Sequence, residues 1–392
     1  TAGMFLGALV GGIIGDKTGR RNAFILYEAI HIASMVVGAF SPNMDFLIAC
    51  RFVMGVGLGA LLVTLFAGFT EYMPGRNRGT WSSRVSFIGN WSYPLCSLIA
   101  MGLTPLISAE WNWRVQLLIP AILSLIATAL AWRYFPESPR WLESRGRYQE
   151  AEKVMRSIEE GVIRQTGKPL PPVVIADDGK APQAVPYSAL LTGVLLKRVI
   201  LGSCVLIAMN VVQYTLINWL PTIFMTQGIN LKDSIVLNTM SMFGAPFGIF
   251  IAMLVMDKIP RKTMGVGLLI LIAVLGYIYS LQTSMLLITL IGFFLITFVY
   301  MYVCYASAVY VPEIWPTEAK LRGSGLANAV GRISGIAAPY AVAVLLSSYG
   351  VTGVFILLGA VSIIVAIAIT TIGIETKGVS VESLSIDAVA NK

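Results

Sequence analysis

The sequence predicts an all-α membrane protein made of two like-oriented helical bundles, and three observations lead to it. Apolar residues fall in long unbroken runs, loops alternate between basic and non-basic, and charged landmarks recur after about 240 residues. Of 392 residues, 56% are hydrophobic and 12% charged. That is about half the charged fraction of a soluble domain and excludes an ordinary soluble fold.

Runs of spanning length, about 17–25 residues, lie at Ala23–Phe40, Phe46–Thr70, Val85–Ser108, Val115–Trp132, Val199–Met225, Ile235–Met256, Met264–Leu281, Met285–Val311, Gly323–Leu346 and Val351–Ile374. The shorter Met4–Ile14 reads as the remnant of an eleventh segment.

The loops justify the orientation. Twenty-four of the 28 Lys and Arg cluster at 17–21, 76–84, 133–198, 258–262, 320–322 and 377–392, whereas Ser41–Asp45, Gln282–Ser284 and Ser347–Gly353 hold none. By the positive-inside rule the basic loops and the C-terminus are cytoplasmic. The net charge of +8 is therefore topology and predicts no nucleic-acid partner. Cys50, Cys96, Cys204 and Cys304 all fall within spans without paired spacing, which predicts no disulfide framework and no zinc site.

The repeat justifies two bundles. Asp16-Lys17-Thr18-Gly19-Arg20-Arg21 is echoed 241 residues later by Asp257-Lys258-Ile259-Pro260-Arg261-Lys262, and Glu71 with Arg78 is echoed 242 residues on by Glu313 with Lys320, with Arg322 just beyond. Pro136-Glu137-Ser138-Pro139 and Ile374-Glu375-Thr376-Lys377 form a looser third pair, offset 238. Six spans separate each landmark from its echo, so the halves share one orientation, the parallel-repeat arrangement. Two spans precede Asp257 but only part of one precedes Asp16, so the first helix of a twelve-helix design is expected to be missing from this chain, leaving eleven segments. The expected domains are residues 1–134 (helices 2–6), a cytoplasmic linker 135–197, residues 198–374 (helices 7–12) and a cytoplasmic tail 375–392. Within the linker, Arg147–Glu160 has helical periodicity.

Several segments carry recognisable chemistry. Gly12-x-x-x-Asp16-Lys17-x-Gly19-Arg20-Arg21 ends one helix in a carboxylate and opens the next with cations, which suits a latch between helix ends. Gly3, Gly7, Gly11 and Gly15 form a smooth stripe for close helix contact. Together with Arg51-x-x-x-Gly55-x-Gly57-x-Gly59, Glu71-x6-Arg78-Gly79, Pro136-Glu-Ser-Pro-Arg-Trp-Leu142 and Pro312-Glu-Ile-Trp-Pro-Thr317, the latch resembles the major facilitator superfamily, most closely its sugar-porter and metabolite:proton symporter branch.

The resemblance implies a bacterial inner-membrane transporter with no cofactor and no enzyme activity, working as a monomer by alternating access on a small polar metabolite, with protons as coupling ion. Cytoplasmic latches would use Asp16, Arg20, Arg21, Glu71, Arg78, Glu137, Asp257, Arg261, Glu313, Lys320 and Arg322. Pro260 in place of Gly, and Met253 four before Asp257, predict a weaker second latch. Cys204 and Val205 stand where sugar porters usually carry paired Gln, which turns the expectation from a hexose toward an organic or sugar acid, with a neutral sugar as the alternative. A transport-inactive truncated fragment or membrane sensor is the competing class.

Intramembrane charges are the sharpest pointers, because each costs roughly 3 kcal/mol or more in the bilayer. Arg332 lies about nine residues into its span; a substrate carboxylate and an internal ion pair both fit it. Related carriers of organic anions and aromatic acids carry Arg in this helix. Arg51 resembles half of a coupling pair whose acid, on the first helix in relatives, is absent here; a snorkelling role also fits. Glu28 and His31 share a helix face, where a proton relay or local hydrogen bonding would account for them. Asn90, Trp91, Asn210, Gln213, Tyr214, Asn218, Tyr302, Tyr305 and Asn328 are the expected substrate-binding companions of Arg332, with Tyr93, Trp219 and Tyr300 as further cavity candidates.

Overall fold

The structure, a computed structural model, describes residues 2–72, 78–170, 187–256, 258–315 and 319–377, with the backbone alone at 12, 13, 16, 66–72, 78–83, 320 and 321. Every regular element among the described residues is helical. In chain order they are α1 (Ala2–Thr18), α2 (Arg20–Ala39), α3 (Met44–Tyr72), α4 (Arg78–Asn90), α5 (Ser92–Leu103), α6 (Ala109–Tyr134), α7 (Pro139–Ser144), α8 (Tyr148–Thr166), α9 (Tyr187–Leu190), α10 (Gly193–Thr226), α11 (Leu231–Met242), α12 (Gly244–Val255), α13 (Arg261–Ser280), α14 (Met285–Cys304), a π-helical turn (Tyr305–Tyr310), α15 (Val311–Glu313) and α16 (Lys320–Ile372).

The apolar runs map onto these helices with two differences. Val85–Ser108 falls on α4 and α5, which meet at Trp91. The last two runs share α16, which turns at Gly350, where φ is 66°. That left-handed value is one glycine adopts freely, so two spans follow one another there with almost no loop. Among the described residues, eight helical stretches are long and apolar enough to cross a bilayer.

The chain forms two compact units, residues 1–81 with 107–181, and residues 82–106 with 182–392. In the first unit, α3 packs on α1 and α2, and α2 also packs on α6. The glycine stripe does what its spacing predicts. A Cβ on Gly3, Gly7 or Gly11 would run into the α3 backbone at Phe52, Val56 or Ala60, and one on Gly59 would strike the Met4 carbonyl. Close backbone approach of this kind stands in for hydrophobic driving force where lipid is the solvent. Ala23, Tyr27, Ala60 and Leu61 form the small buried core of this unit. The outer helix α6 leaves Ile122, Leu123, Ile126 and Leu130 more than half exposed, as suits a lipid-facing helix. The amphipathic α8 covers the predicted linker helix and packs on α7.

In the second unit α16 packs along α10 and α13, α14 packs on α11, α12 and α13, and α5 packs on α11. Its core runs from Leu190 to Ile369, with Trp315, Tyr300, Tyr302, Tyr305, Tyr310 and Phe224 among its largest buried side chains.

Candidate functional site

Two kinds of site emerge, and each lies within one unit. The first is a helix-end latch present in both. In the first unit Glu137, just before α7, accepts hydrogen bonds from the Arg20 and Arg21 backbone N–H groups, at 2.7 and 3.2 Å, and so caps the N-terminus of α2. Gly19 lets this happen: its φ is 96°, and a Cβ there would collide with the Glu137 carboxylate. Arg21 also donates to the Trp132 carbonyl at the end of α6.

The second unit repeats the device. Glu375 accepts from the Arg261 and Lys262 N–H groups, at 2.7 and 3.1 Å, capping α13. The Arg261 guanidinium grips Glu313 through two bonds of 3.0 and 3.1 Å, and Thr376 donates to the same carboxylate at 2.6 Å. The helix cap forms in this unit without the glycine that the first unit uses. Pro260, with φ −56° at the N-cap, needs neither an N–H nor a left-handed backbone, because the first helical residues leave their own N–H groups for the carboxylate. Glu375 and Thr376 are latch residues that sequence reasoning did not assign. The 238-residue echo of Glu137 was the signal for Glu375. Asp257 lies outside the described residues, as do the side chains of Asp16, Glu71, Arg78 and Lys320. Arg322 is partly exposed at the start of α16.

The second kind of site surrounds Arg332 on α16. Gly331 and Gly335 bring this helix so close to α10 that a Cβ on either would press on Asn210, Leu206 or Tyr214. Arg332 is consequently held beside α10, between the glycines that pack on Asn210 and Tyr214. Tyr93 on α5 faces both Tyr214 and Tyr300, and Gln213 faces Tyr300. The Tyr93 and Tyr300 rings meet edge to face, 5.2 Å between centroids. Trp91 meets Phe87 and Phe243 in the same way, at 6.4 and 6.3 Å. Tyr300 is buried, while Arg332, Tyr214, Gln213 and Tyr93 stay partly exposed. Arg332 has no carboxylate partner among the described residues. An internal ion pair for Arg332 is therefore not seen among the described residues.

The remaining expected companions are placed differently. Asn210, Asn90 and Asn328 donate to carbonyls of their own helices, Leu206, Ser86 and Ser324, at 2.7, 2.7 and 2.9 Å. Asn218 and Asn328 are exposed. Tyr302 and Tyr305 do not join the Arg332 cluster. Tyr302 donates to the Val205 carbonyl at 3.2 Å, and Tyr302, Tyr305 and Tyr310 stack in sequence at 5.7 and 5.0 Å through the π-helical turn. Asn238, which sequence reasoning missed, donates to Ser97 of α5 at 3.3 Å.

In the first unit Glu28 is buried on α2 with one carboxylate oxygen unpartnered. His31, one turn on, has its Nδ1 3.2 Å from the Met54 carbonyl and does not pair with Glu28. Arg51 is exposed and lines an open groove with Asn43, Leu47, Trp113 and Arg114. No cluster of three or more metal-ligating side chains occurs among the described residues.

Comparison with known proteins agrees with the fold. The chain is 45% identical over 98% of its length, and 84% of the relative's, to the inner membrane metabolite transport protein YdjE of Escherichia coli. It is 26% identical over 98% of its length, and 85% of the relative's, to the niacin transporter NiaP of Acinetobacter baylyi. Its backbone matches the xylose transporter XylE of E. coli, in a partially occluded inward-open conformation, with a TM-score of 0.75 at 18% identity, covering 97% of this chain and 87% of that one. The family model described as Major Facilitator Superfamily matches residues 1–339. The chain is thus a multi-pass membrane transporter, not an enzyme, and belongs to the major facilitator superfamily.

Proposed function

We propose that this transporter carries a small organic anion across the inner membrane, binding its carboxylate at Arg332 and drawing on a proton gradient. The observation that carries the reading is a partly exposed intramembrane guanidinium, free of any carboxylate partner among the described residues and held on a helix that packs closely on Asn210 and Tyr214 of α10. A charge held there at a cost of roughly 3 kcal/mol or more is retained for use. The relative named for niacin, itself a carboxylic acid, supports an anionic cargo. The relative named an inner membrane metabolite transport protein supports the location. The basic loops would face the cytoplasm with the C-terminus, and substrate would reach the site by alternating access of the two domains, residues 1–134 and 198–374. A monomer would suffice.

Glu28 is the proposed proton-binding carboxyl, since it is buried with one carboxylate oxygen unpartnered among the described residues, with His31 and Arg51 as lesser candidates. Counterflow in proteoliposomes tests the whole reading. Organic acids should exchange in the wild type and fail to do so in Arg332→Gln and Arg332→Lys, the latter because Lys lacks the planar fork. Wild-type exchange of an anion by either variant, or exchange of neutral sugars alone, overturns it.

A further inference from the structure

We infer that Asn238 on α11 and Ser97 on α5 are positioning residues of the transport cycle, forming a polar clasp on the outer half of the α5–α11 seam that favours the outward-closed arrangement. The inference rests on the reading of alternating access given above and names residues that set its balance.

The seam joins two parts of the sequence. Residues 82–106 fall in the first half of the repeat, yet they pack in the same compact unit as residues 182–392, with α5 against α11. If residues 1–134 and 198–374 move against each other, the contacts between α5 and α11 are among those that change. Ser97 stands six residues before the end of α5 at Leu103, and Asn238 seven after the start of α11 at Leu231. Each is thus about 10 Å along its helix from that end. The loops beyond, 104–108 and 227–230, hold no Lys or Arg and are expected on the outer side.

The ring contacts across residues 82–106 are tolerant of small shifts. Trp91 meets Phe243 at 6.3 Å and Phe87 meets Phe250 at 6.2 Å between centroids, and such pairs accept a range of offsets. Where lipid is the solvent, burial adds little drive to hold two helices together. The Asn238 amide is different, because it donates to the Ser97 hydroxyl oxygen at 3.3 Å, and a bond of that length is lost within about 1 Å of displacement. Its neighbours on α11 do not reach across: Thr239 and Ser241 donate to the Ile235 and Leu237 carbonyls of their own helix. Asn90 and Asn210 likewise turn back on theirs. The Asn238–Ser97 bond therefore discriminates between arrangements of this seam.

The clasp is also incompletely met. The Asn238 Oδ1 is buried without a hydrogen-bond partner among the described residues. Buried polar atoms are normally paired, so the amide holds the seam without reaching its full complement of bonds. A modest preference of this kind biases a two-state balance without freezing it.

The test uses the full chain in lipid nanodiscs, with the four native cysteines replaced by Ala and spin labels on Pro42→Cys and Thr283→Cys, in two loops expected outside. Pulsed electron resonance reads the distance between the labels. Ser97→Ala and Asn238→Leu should each raise the ratio of long-distance to short-distance populations about threefold, the size of an average hydrogen bond between membrane helices. The double variant should shift the ratio no further than either single one, because both remove the same bond. Ser97→Thr, which keeps the hydroxyl, should match the parent; should Asn238→Leu fail to fold, Ser97→Ala and Ser97→Thr still decide. Populations unchanged by Ser97→Ala, shifts that add in the double variant, or a Ser97→Thr shift equal to that of Ser97→Ala overturn the clasp. Wild-type counterflow alongside such a result leaves alternating access standing, and its absence removes both.

Discussion

Glu375 shows how one side chain can hold a helix end. Burial pushes its carboxyl up, but the N–H groups of Arg261, Lys262 and Lys377 and the Arg261 charge outweigh that, so it sits below the usual carboxylate range. A group whose folded value is depressed stabilises the fold fully above its unfolded value, about 4.3 for Glu. That stabilisation is lost as pH falls through the lower folded value. Glu375→Gln should therefore lower stability near neutrality by about 1 kcal/mol, the size of a helix cap, and flatten the acid side of a stability–pH curve. Thermal unfolding in detergent between pH 3 and pH 7 checks both; an acid limb identical to wild type would remove Glu375 from the cap. This residue was legible in the sequence only as an echo. The residues around Arg332 were legible as types but not as partners. Whether an amide faces a cavity or turns back on its own helix, as Asn210 and Asn328 do, is a rotamer choice that periodicity does not encode.

Elements were more legible than residues, because a run of apolar side chains long enough to span a bilayer permits little but a helix. The glycine stripe of α1 goes further and names its partner surface. Gly7→Val should collide with the Val56 carbonyl and cost at least about 1–3 kcal/mol as an overpacked contact. Gly267→Ala on α13, where nothing lies within 4 Å of the added carbon, should be neutral or mildly stabilising through helix propensity. Thermal midpoints of the two variants, read beside wild type, test the seam; equal midpoints would mean that α1 and α3 do not meet there. The π-helical turn was not legible. Its extra residue per turn shifts the phase of everything after Cys304. A plain helical projection therefore misplaces Tyr305, which stacks 5.0 Å from Tyr310 inside the unit. Tyr310 in turn exchanges two hydrogen bonds with the Ile374 backbone, at 3.1 and 3.0 Å. Tyr310→Phe removes both and should lower stability by about 1–2 kcal/mol, with a stacked ring still in place.

At the scale of the whole molecule, one physical rule and one repeat set the expectations. Lys and Arg resist translocation, so loops at 17–21, 133–198 and 258–262 are expected on one side of the bilayer and those at 41–45 and 282–284 on the other. The same helix-end cap recurs within each unit, Arg20–Glu137 in the first and Arg261–Glu375 in the second. Fluorescent-protein fusions after Lys392 and within the 171–186 segment should therefore both fluoresce, since that reporter folds on the cytoplasmic side. Alkaline phosphatase should be active only when inserted near Asn43 or Thr283. If the reporters at Lys392 and near Asn43 report the same side, an odd number of crossings no longer separates them. The like-oriented halves would then have to be abandoned, because the number of spans between the two latches could not be even.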